Sequence, residues 1–229
     1  MKNGFNKTIS AIASIALLVL LIVLSIQILG LSGGVYKILQ KQFGVSDVVG
    51  ISEGEMDDVT DVFIDYTKGN REDLNIEVNV DGENVQMFNE REKTHMIDVK
   101  GLYGASVKIA IWLAVIAFVI FAYLLIRKQQ ETIYRMHKRV SIGFLFFCIA
   151  LGIYFALDFN GFWTNVHLLL FTNDLWLLNP ATDRMIMMFP LNFFLALSII
   201  VLAVFILVYL LLLIFSNRGL KRIGRKKRA

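Results

Sequence analysis

MFPLNFFLALSIIVLAVFILVYLLLLIF, residues 188–215, is the stretch of this chain that decides the fold. Its 28 residues include no Asp, Glu, Lys or Arg. A helix needs about 20 apolar residues to cross the roughly 30 Å hydrocarbon core of a bilayer. The segment is therefore predicted to span a membrane, either tilted or beginning as an interfacial turn before Pro190.

Three further apolar blocks precede it, at about 9–29, 107–126 and 140–157. The whole chain of 229 residues is 56% hydrophobic, with a mean hydropathy of +0.62. The apolar stretch of the first block is too long for the roughly 7 to 15 residues of a signal-peptide core, so cleavage is only the alternative to an uncleaved helix. We predict an all-α polytopic membrane protein with four transmembrane helices, forming one membrane domain over residues 1–229.

Charge separates the connecting segments into two classes. Segment 127–139 and the tail 217–229 are basic, whereas 15 of the 19 acidic residues lie within 32–100. Because positive charge marks the cytoplasmic side, both termini are predicted to be cytoplasmic in a multi-pass cell-membrane protein. The net charge of +4 is thus an orientation signal and does not indicate nucleic-acid binding. The basic tail is interpreted mainly as a topology determinant, with anionic lipid headgroups as an alternative ligand.

The two remaining segments, 30–106 and 158–187, are predicted to be extracellular. The first is expected to form a cap of short helices plus a β-hairpin that turns at Asp81-Gly82. A helix beginning near Asn89 should run through His95 into the second span. In the second segment, 161–171 is apolar but too short to cross, and it is predicted to be an interfacial helix.

Two of the three histidines, His95 and His167, lie in these predicted extracellular segments. Imidazole exchanges its proton near neutral pH and is the commonest general acid or base. On a helix, Arg91 and Asp98 share a face with His95, so Asp98 is expected to orient its ring. Charged residues beside a span are otherwise solvated anchors, which is the competing interpretation for Arg91.

Other kinds of site have little support in the sequence. No H-E-x-x-H pattern indicates a zinc site, and no G-x-S-x-G pattern indicates a serine nucleophile. The single cysteine, Cys148, excludes an intrachain disulfide. The predicted spans carry almost no ionisable groups, which argues against a channel or secondary transporter. We therefore expect an active site without a metal or cofactor.

Two motifs carry a family resemblance. FNEREKTHMIDVK (88–100) and HLLLFTNDLWLLNP (167–180), followed by Phe189-Pro190 at the last span, resemble the small integral membrane family that contains the lipoprotein intramolecular transacylase of low-GC Gram-positive bacteria. The likeness covers most of the chain, including four spans and a large first outer segment.

The resemblance implies a defined reaction. Such an enzyme moves the sn-2 acyl chain of a diacylglyceryl-cysteine lipoprotein to that cysteine's own α-amino group, giving a lyso-form lipoprotein. The histidine pair taken as catalytic in that family corresponds to His95 and His167. The expected partners are thus a diacylated bacterial lipoprotein and membrane lipid.

For this reaction His95 is the expected general base. His167 is expected to donate a hydrogen bond to the oxyanion or a proton to the leaving oxygen. No acyl-enzyme intermediate is expected. Two alternative functions are also compatible with the sequence. One is a non-enzymatic membrane sensor or partner-binding protein with the acidic cap as its surface, and the other is an acyltransferase acting on free phospholipids. The supporting or substrate-binding residues expected for the transacylase are Arg91, Asp98, Asn165, Asn173, Asp174 and Trp176.

Overall fold

A computed structural model describes residues 2–228 of the chain, most of which are helical. In chain order the elements are α1 (Lys2–Leu29), α2 (Gly33–Gln42), α3 (Val45–Val49), α4 (Glu53–Lys68), β1 (Glu77–Val80), β2 (Glu83–Gln86), α5 (Glu90–Ile126), α6 (Gln130–Leu157), α7 (Phe159–Leu170), α8 (Arg184–Met188) and α9 (Leu191–Lys226).

Within residues 2–228, four helices are long and apolar enough to cross a membrane, and they are α1, α5, α6 and α9. Their most apolar windows have mean hydropathies of 2.9, 2.9, 2.4 and 3.3 in that order. The side chains along these windows are mostly exposed in the isolated chain, as lipid-facing residues are. The prediction of four membrane helices is confirmed.

The helix ends differ from the predicted span ends. Met188 closes α8, and α9 begins only at Leu191, because Pro190 lacks the N–H that a continuous helix would need. The interfacial turn considered for this segment is therefore a separate short helix. At the other end, α9 continues through the basic tail to Lys226. The first and last residues of the predicted 1–229 domain, Met1 and Ala229, lie outside the described residues.

The chain divides into two compact units. Unit 1 comprises Met1–Ser25, Lys108–Leu157 and Leu202–Ala229. Its largest buried cluster packs Leu18, Phe205 and Tyr209 against α6. The Tyr209 hydroxyl donates to the Ser141 carbonyl at 2.8 Å, which joins α9 to α6.

Unit 2 comprises Ile26–Val107 and Asp158–Val201 and contains both predicted site histidines. Its core combines aliphatic side chains of α2 to α4 and the hairpin with an aromatic cluster. In this cluster Tyr36 contacts Phe189 and Phe193 edge-on, with ring centroids 5.5 and 5.0 Å apart. Unit 2 therefore has its own hydrophobic core.

The β-hairpin predicted at Asp81-Gly82 is confirmed. Strands β1 and β2 are antiparallel, with Val80 opposite Glu83 and Val78 opposite Val85, which leaves a two-residue turn. Both turn residues have positive φ, 54° for Asp81 and 92° for Gly82. That conformation matches the right-handed twist of the strands and favours Gly or Asp.

Helix α5 begins with a reciprocal cap. The Asn89 backbone N–H donates to Oε2 of Glu92 at 2.7 Å, and the Glu92 N–H donates to Oδ1 of Asn89 at 3.0 Å. These bonds satisfy two N–H groups that a helix start leaves unpaired. From this cap α5 runs without a break through His95 to Ile126, as the sequence predicted.

Candidate active site

His95 lies on α5, more than two turns before the predicted span at 107–126, and its ring is buried. Only 7% of the residue is exposed, and its Nδ1 atom has no hydrogen-bond partner among the described residues. Burial lowers the pKa of His95 to about 4, helped by the nearby His167, while Asp98 opposes the shift. The ring is therefore uncharged at neutral pH.

His167 lies on α7 and is half-buried. Its Nδ1 is 2.9 Å from the carbonyl oxygen of Trp163, one turn earlier on the same helix. A carbonyl oxygen only accepts hydrogen bonds, so Nδ1 carries the proton. Burial lowers the pKa of His167, although the bond to Trp163 opposes this shift. A neutral ring with Nδ1 protonated has its lone pair on Nε2, which is the form that accepts a proton.

Phe171 joins the two histidines. Its ring centroid is 5.1 Å from that of His95 and 5.6 Å from that of His167. The two imidazole centroids therefore lie no further apart than the sum of these separations, about 11 Å. The structure thus brings together two side chains 72 positions apart in the sequence, which the sequence pattern alone left open.

Aromatic rings surround His167 on other sides. Trp163 meets it edge-on with centroids 4.8 Å apart, and Trp176 lies at 5.0 Å with its plane tilted by 31°. Trp163 in turn contacts Phe194 at 4.4 Å. These apolar faces fix the ring orientation and lower the local dielectric, which strengthens electrostatic interactions at the site.

The segment that carries Phe171 and Trp176 is bound to the start of α5. Arg91 donates from Nη2 to the Asp174 carbonyl at 2.6 Å and to the Leu177 carbonyl at 3.4 Å. Asn173 donates from Nδ2 to Oδ2 of Asp98 at 2.8 Å. Trp176 is fixed in turn, since its indole N–H donates to the Asn173 carbonyl at 2.9 Å. Arg91 and Asp98 therefore position the second histidine motif.

The expected hydrogen bond from Asp98 to His95 is not formed within the described residues. Asp98 instead accepts from Asn173, and it acts on His95 only through its charge. Sharing a helix face was the reason for the prediction, but the carboxylate is engaged by a segment distant in sequence. Asn165 is also separated from His167, because two residues along a helix are about 200° apart around its axis.

The sequence predicted Glu92, one turn before His95, as part of the helix cap, but it did not predict that this carboxylate is buried. Only 1% of Glu92 is exposed, and its Oε1 accepts from the Met185 backbone N–H at 2.6 Å. Asn89 also contacts the start of α8, because its Nδ2 donates to Oδ1 of Asp183 at 2.8 Å. Burial raises the pKa of Glu92, although its two backbone hydrogen bonds oppose the shift. The N-x-x-E spacing predicts the cap at Asn89, but not the contact of Glu92 with Met185, 93 positions away.

Across residues 2–228, no group of three or more His, Cys, Asp and Glu side chains is arranged to hold a metal ion. The structure brings together the imidazoles of His95 and His167 and the aromatic rings that contact them. The Arg91 guanidinium, bonded to backbone carbonyls of the second motif, lies on the same helix as His95. Such a set is suited to proton transfer.

Comparison with known proteins identifies the family. The model of the family described as lipoprotein intramolecular transacylase Lit matches residues 11–194, and no curated protein sequence matches significantly. The integral membrane lipoprotein intramolecular transacylase of Bacillus cereus, solved in meso, has a TM-score of 0.79 and 21% identity over 99% of each chain.

Two variants of that Bacillus cereus protein have the same fold as this chain. In one a histidine is replaced by arginine, and the similarity covers 98% of this chain and 96% of the variant. In the other a histidine is replaced by alanine, with 100% and 98% covered. Both have a TM-score of 0.77 and 19% identity. Because the family model covers most of the sequence, this chain belongs to the lipoprotein intramolecular transacylase family and is an acyltransferase integral to the membrane.

Proposed function

We propose that the protein moves the sn-2 acyl chain of a diacylglyceryl-cysteine lipoprotein to the α-amino group of the same cysteine. The amine nitrogen attacks the ester carbonyl carbon, and a C–N bond forms. The bond from that carbon to the sn-2 oxygen then breaks. The products are an amide and a free sn-2 hydroxyl on one molecule, so neither water nor a second lipid is consumed.

His167 is the general base in this proposal. The Trp163 carbonyl holds the proton on Nδ1, which leaves Nε2 to accept the proton that the amine loses. The base role was expected for His95 because of Asp98, but Asp98 is bonded to Asn173. The resulting imidazolium then returns the proton to the departing sn-2 oxygen.

His95 serves as a neutral hydrogen-bond donor in the same step. With a pKa of about 4 it is a weak base at neutral pH, but an uncharged imidazole still has one N–H to donate. Negative charge develops on the ester carbonyl oxygen during attack, and a donor in a desolvated site stabilises it strongly. The unpartnered Nδ1 of His95 is consistent with a polar group that awaits a substrate atom.

The remaining site residues position the substrate and the second motif. Arg91, Asp98, Asn173 and Asp174 hold the 171–178 segment against α5, so that Trp176 and Phe171 border the histidines. Asn165 lies on another face of α7, where its Nδ2 donates to the Gly161 carbonyl at 3.0 Å, and we assign it a contact with the lipoprotein peptide. Because amine and ester belong to one molecule, orientation alone supplies much of the rate.

The composition of α7 supports a location of this chemistry at the membrane surface. Leu168, Leu169 and Leu170 are exposed, Leu169 by 84%, next to Trp163 and Trp176. Exposed leucines beside tryptophans are typical of a helix at the headgroup level. With both termini cytoplasmic, as the basic segments indicate, this surface is extracellular. The acyl chains then remain in lipid while the lipoprotein peptide stays in water.

The observation that carries the proposal is the contact of both imidazoles with Phe171. A lipoprotein with an isotope-labelled sn-2 acyl chain and a free amino terminus tests it. We expect fragmentation of the N-terminal lipopeptide to place the label on nitrogen, with the total lipid mass unchanged. Label recovered in free phospholipid, or transfer that needs an added phospholipid donor, would contradict the proposal and favour an acyltransferase acting on free lipids.

A further inference from the structure

A second candidate site lies in unit 1, where the basic ends of α6 and α9 form an open cleft of about 430 Å³. Lys138, Arg139 and Ile142 line it from α6. Leu220, Ile223 and Gly224 line it from α9. None of these residues takes part in the histidine site. The volume falls in the range of roughly 300 to 1,000 Å³ that is usual for small-molecule pockets.

One acidic side chain lines the cleft, and its charge is already compensated. Glu131 forms ion pairs with Arg135 of its own helix and with Lys227, which directly follows α9. The second of these contacts joins the start of α6 to the end of α9. By contrast, Lys138 and Arg139 have no carboxylate within ion-pair distance among the described residues. Two uncompensated cations therefore face the same cavity.

The cleft floor is apolar. Ile142 lies one turn beyond Lys138 and Arg139, on the same face of α6. Leu220 and Ile223 are half-buried opposite it. The cleft is open beside Gly224, where an added Cβ atom would meet nothing within 4 Å. Cations at the rim and hydrocarbon at the base suit a ligand with an anionic head and an apolar body.

We propose that this cleft binds an anionic glycerophospholipid, with its phosphate between Lys138 and Arg139 and its glycerol ester region against Ile142 and Ile223. Both helices are membrane spans, so cations just beyond their apolar stretches lie at headgroup depth. Basic pockets between membrane helices bind such headgroups, with about 1 kcal/mol per cation. Free phosphate would use the same cations but leave the apolar floor unoccupied.

Native mass spectrometry of the full chain in detergent tests this inference. The protein is titrated with short-chain phosphatidylglycerol, with phosphatidylcholine of the same chain length, and with inorganic phosphate as a competitor. The double variant Lys138→Gln/Arg139→Gln should weaken phosphatidylglycerol binding by roughly thirtyfold. The matched control Lys221→Gln/Arg222→Gln removes the same charge from α9 outside this cleft and should leave binding nearly unchanged.

A second variant distinguishes lipid binding in the cleft from nonspecific attraction between the basic protein and anionic lipid. Gly224→Leu keeps every charge, favours the helix and fills the open space, so it should also weaken binding. Thermal melting checks that each variant is folded. Equal loss in the Lys221→Gln/Arg222→Gln control, full binding by Gly224→Leu, equal affinity for phosphatidylcholine, or displacement by millimolar phosphate would each overturn the inference.

Discussion

Asn173 donates a hydrogen bond to the Asp98 carboxylate at 2.8 Å, which ties the second histidine motif to the helix that carries the first. The same asparagine accepts from the Trp176 indole through its carbonyl. Asp98 thus acts on the site through a segment 75 positions away, although its charge also reaches His95.

This arrangement predicts different effects for two substitutions of Asp98. Asp98→Asn keeps an oxygen that accepts from Asn173, so the rate of acyl transfer should fall only a few-fold. Asp98→Ala removes the acceptor of the Asn173 amide and should lower the rate by about tenfold or more, since a hydrogen bond to a charged group is worth about 1.5 to 3 kcal/mol. Initial rates of lipopeptide conversion measure both. Equal, severe losses in the two variants would show that the negative charge is what matters.

The shifted pKa of His95 predicts a pH dependence of stability. Folding favours the neutral ring, whose pKa falls from 6.5 to about 4. The stabilising contribution is therefore complete above pH 6.5, lost as the pH falls towards 4, and constant below that. At pH 4.5 the loss should be about 2 kcal/mol.

His95→Leu serves as the control for this measurement, because it removes the titrating group and keeps an apolar side chain in place. Unfolding in detergent is followed at pH 7.5 and 4.5 for both proteins. We expect the wild type to lose more stability than the variant over this interval. A parallel decline of the two would assign the acid sensitivity to other groups.

The bond between His167 and the Trp163 carbonyl predicts a single tautomer. In ¹⁵N NMR spectra of histidine-labelled protein, the His167 ring should show a protonated Nδ1 and an unprotonated Nε2 at pH 8. Comparison with His167→Ala assigns the signal, which is feasible because the chain has three histidines. A protonated Nε2 would remove the basis for the base role of His167.

The buried Glu92 predicts a large loss of stability on truncation. Glu92→Ala leaves the N–H groups of Asn89 and Met185 without acceptors, at a cost of about 3 kcal/mol. Glu90→Ala is the matched control, since the Glu90 side chain is 89% exposed. Thermal unfolding in detergent should separate the two variants clearly. Similar melting temperatures would show that the cap and the contact with α8 contribute little to the free energy of unfolding.

Local sequence signals predicted much of the fold. The apolar blocks predicted the four membrane helices because the length and the apolar composition of a segment determine whether it can span a bilayer. Asp81-Gly82 predicted the hairpin because few residues adopt positive φ. The cap at Asn89 predicted where α5 begins. The separate helix α8 was not predicted as such, since Pro190 favours a break in the helix without determining the structure that precedes it.

The site was harder to predict because its contacts join distant segments. The two motifs identified His95 and His167, but no local pattern shows that Phe171 lies between them. Helical spacing paired Asp98 with His95, whereas the tertiary fold pairs it with Asn173. The orienting group of His167 is a backbone carbonyl, which every residue possesses and which no sequence motif can reveal.

A double-mutant cycle on the two imidazoles tests the central claim most directly. Initial rates of N-acyl lipopeptide formation are compared for the wild type, His95→Ala, His167→Ala and the double variant, at equal amounts of folded protein. If both rings act in one transfer step, each single change should remove nearly all activity and the double variant should be little worse. Independent, multiplicative losses, or near-normal turnover after either single change, would contradict a shared centre.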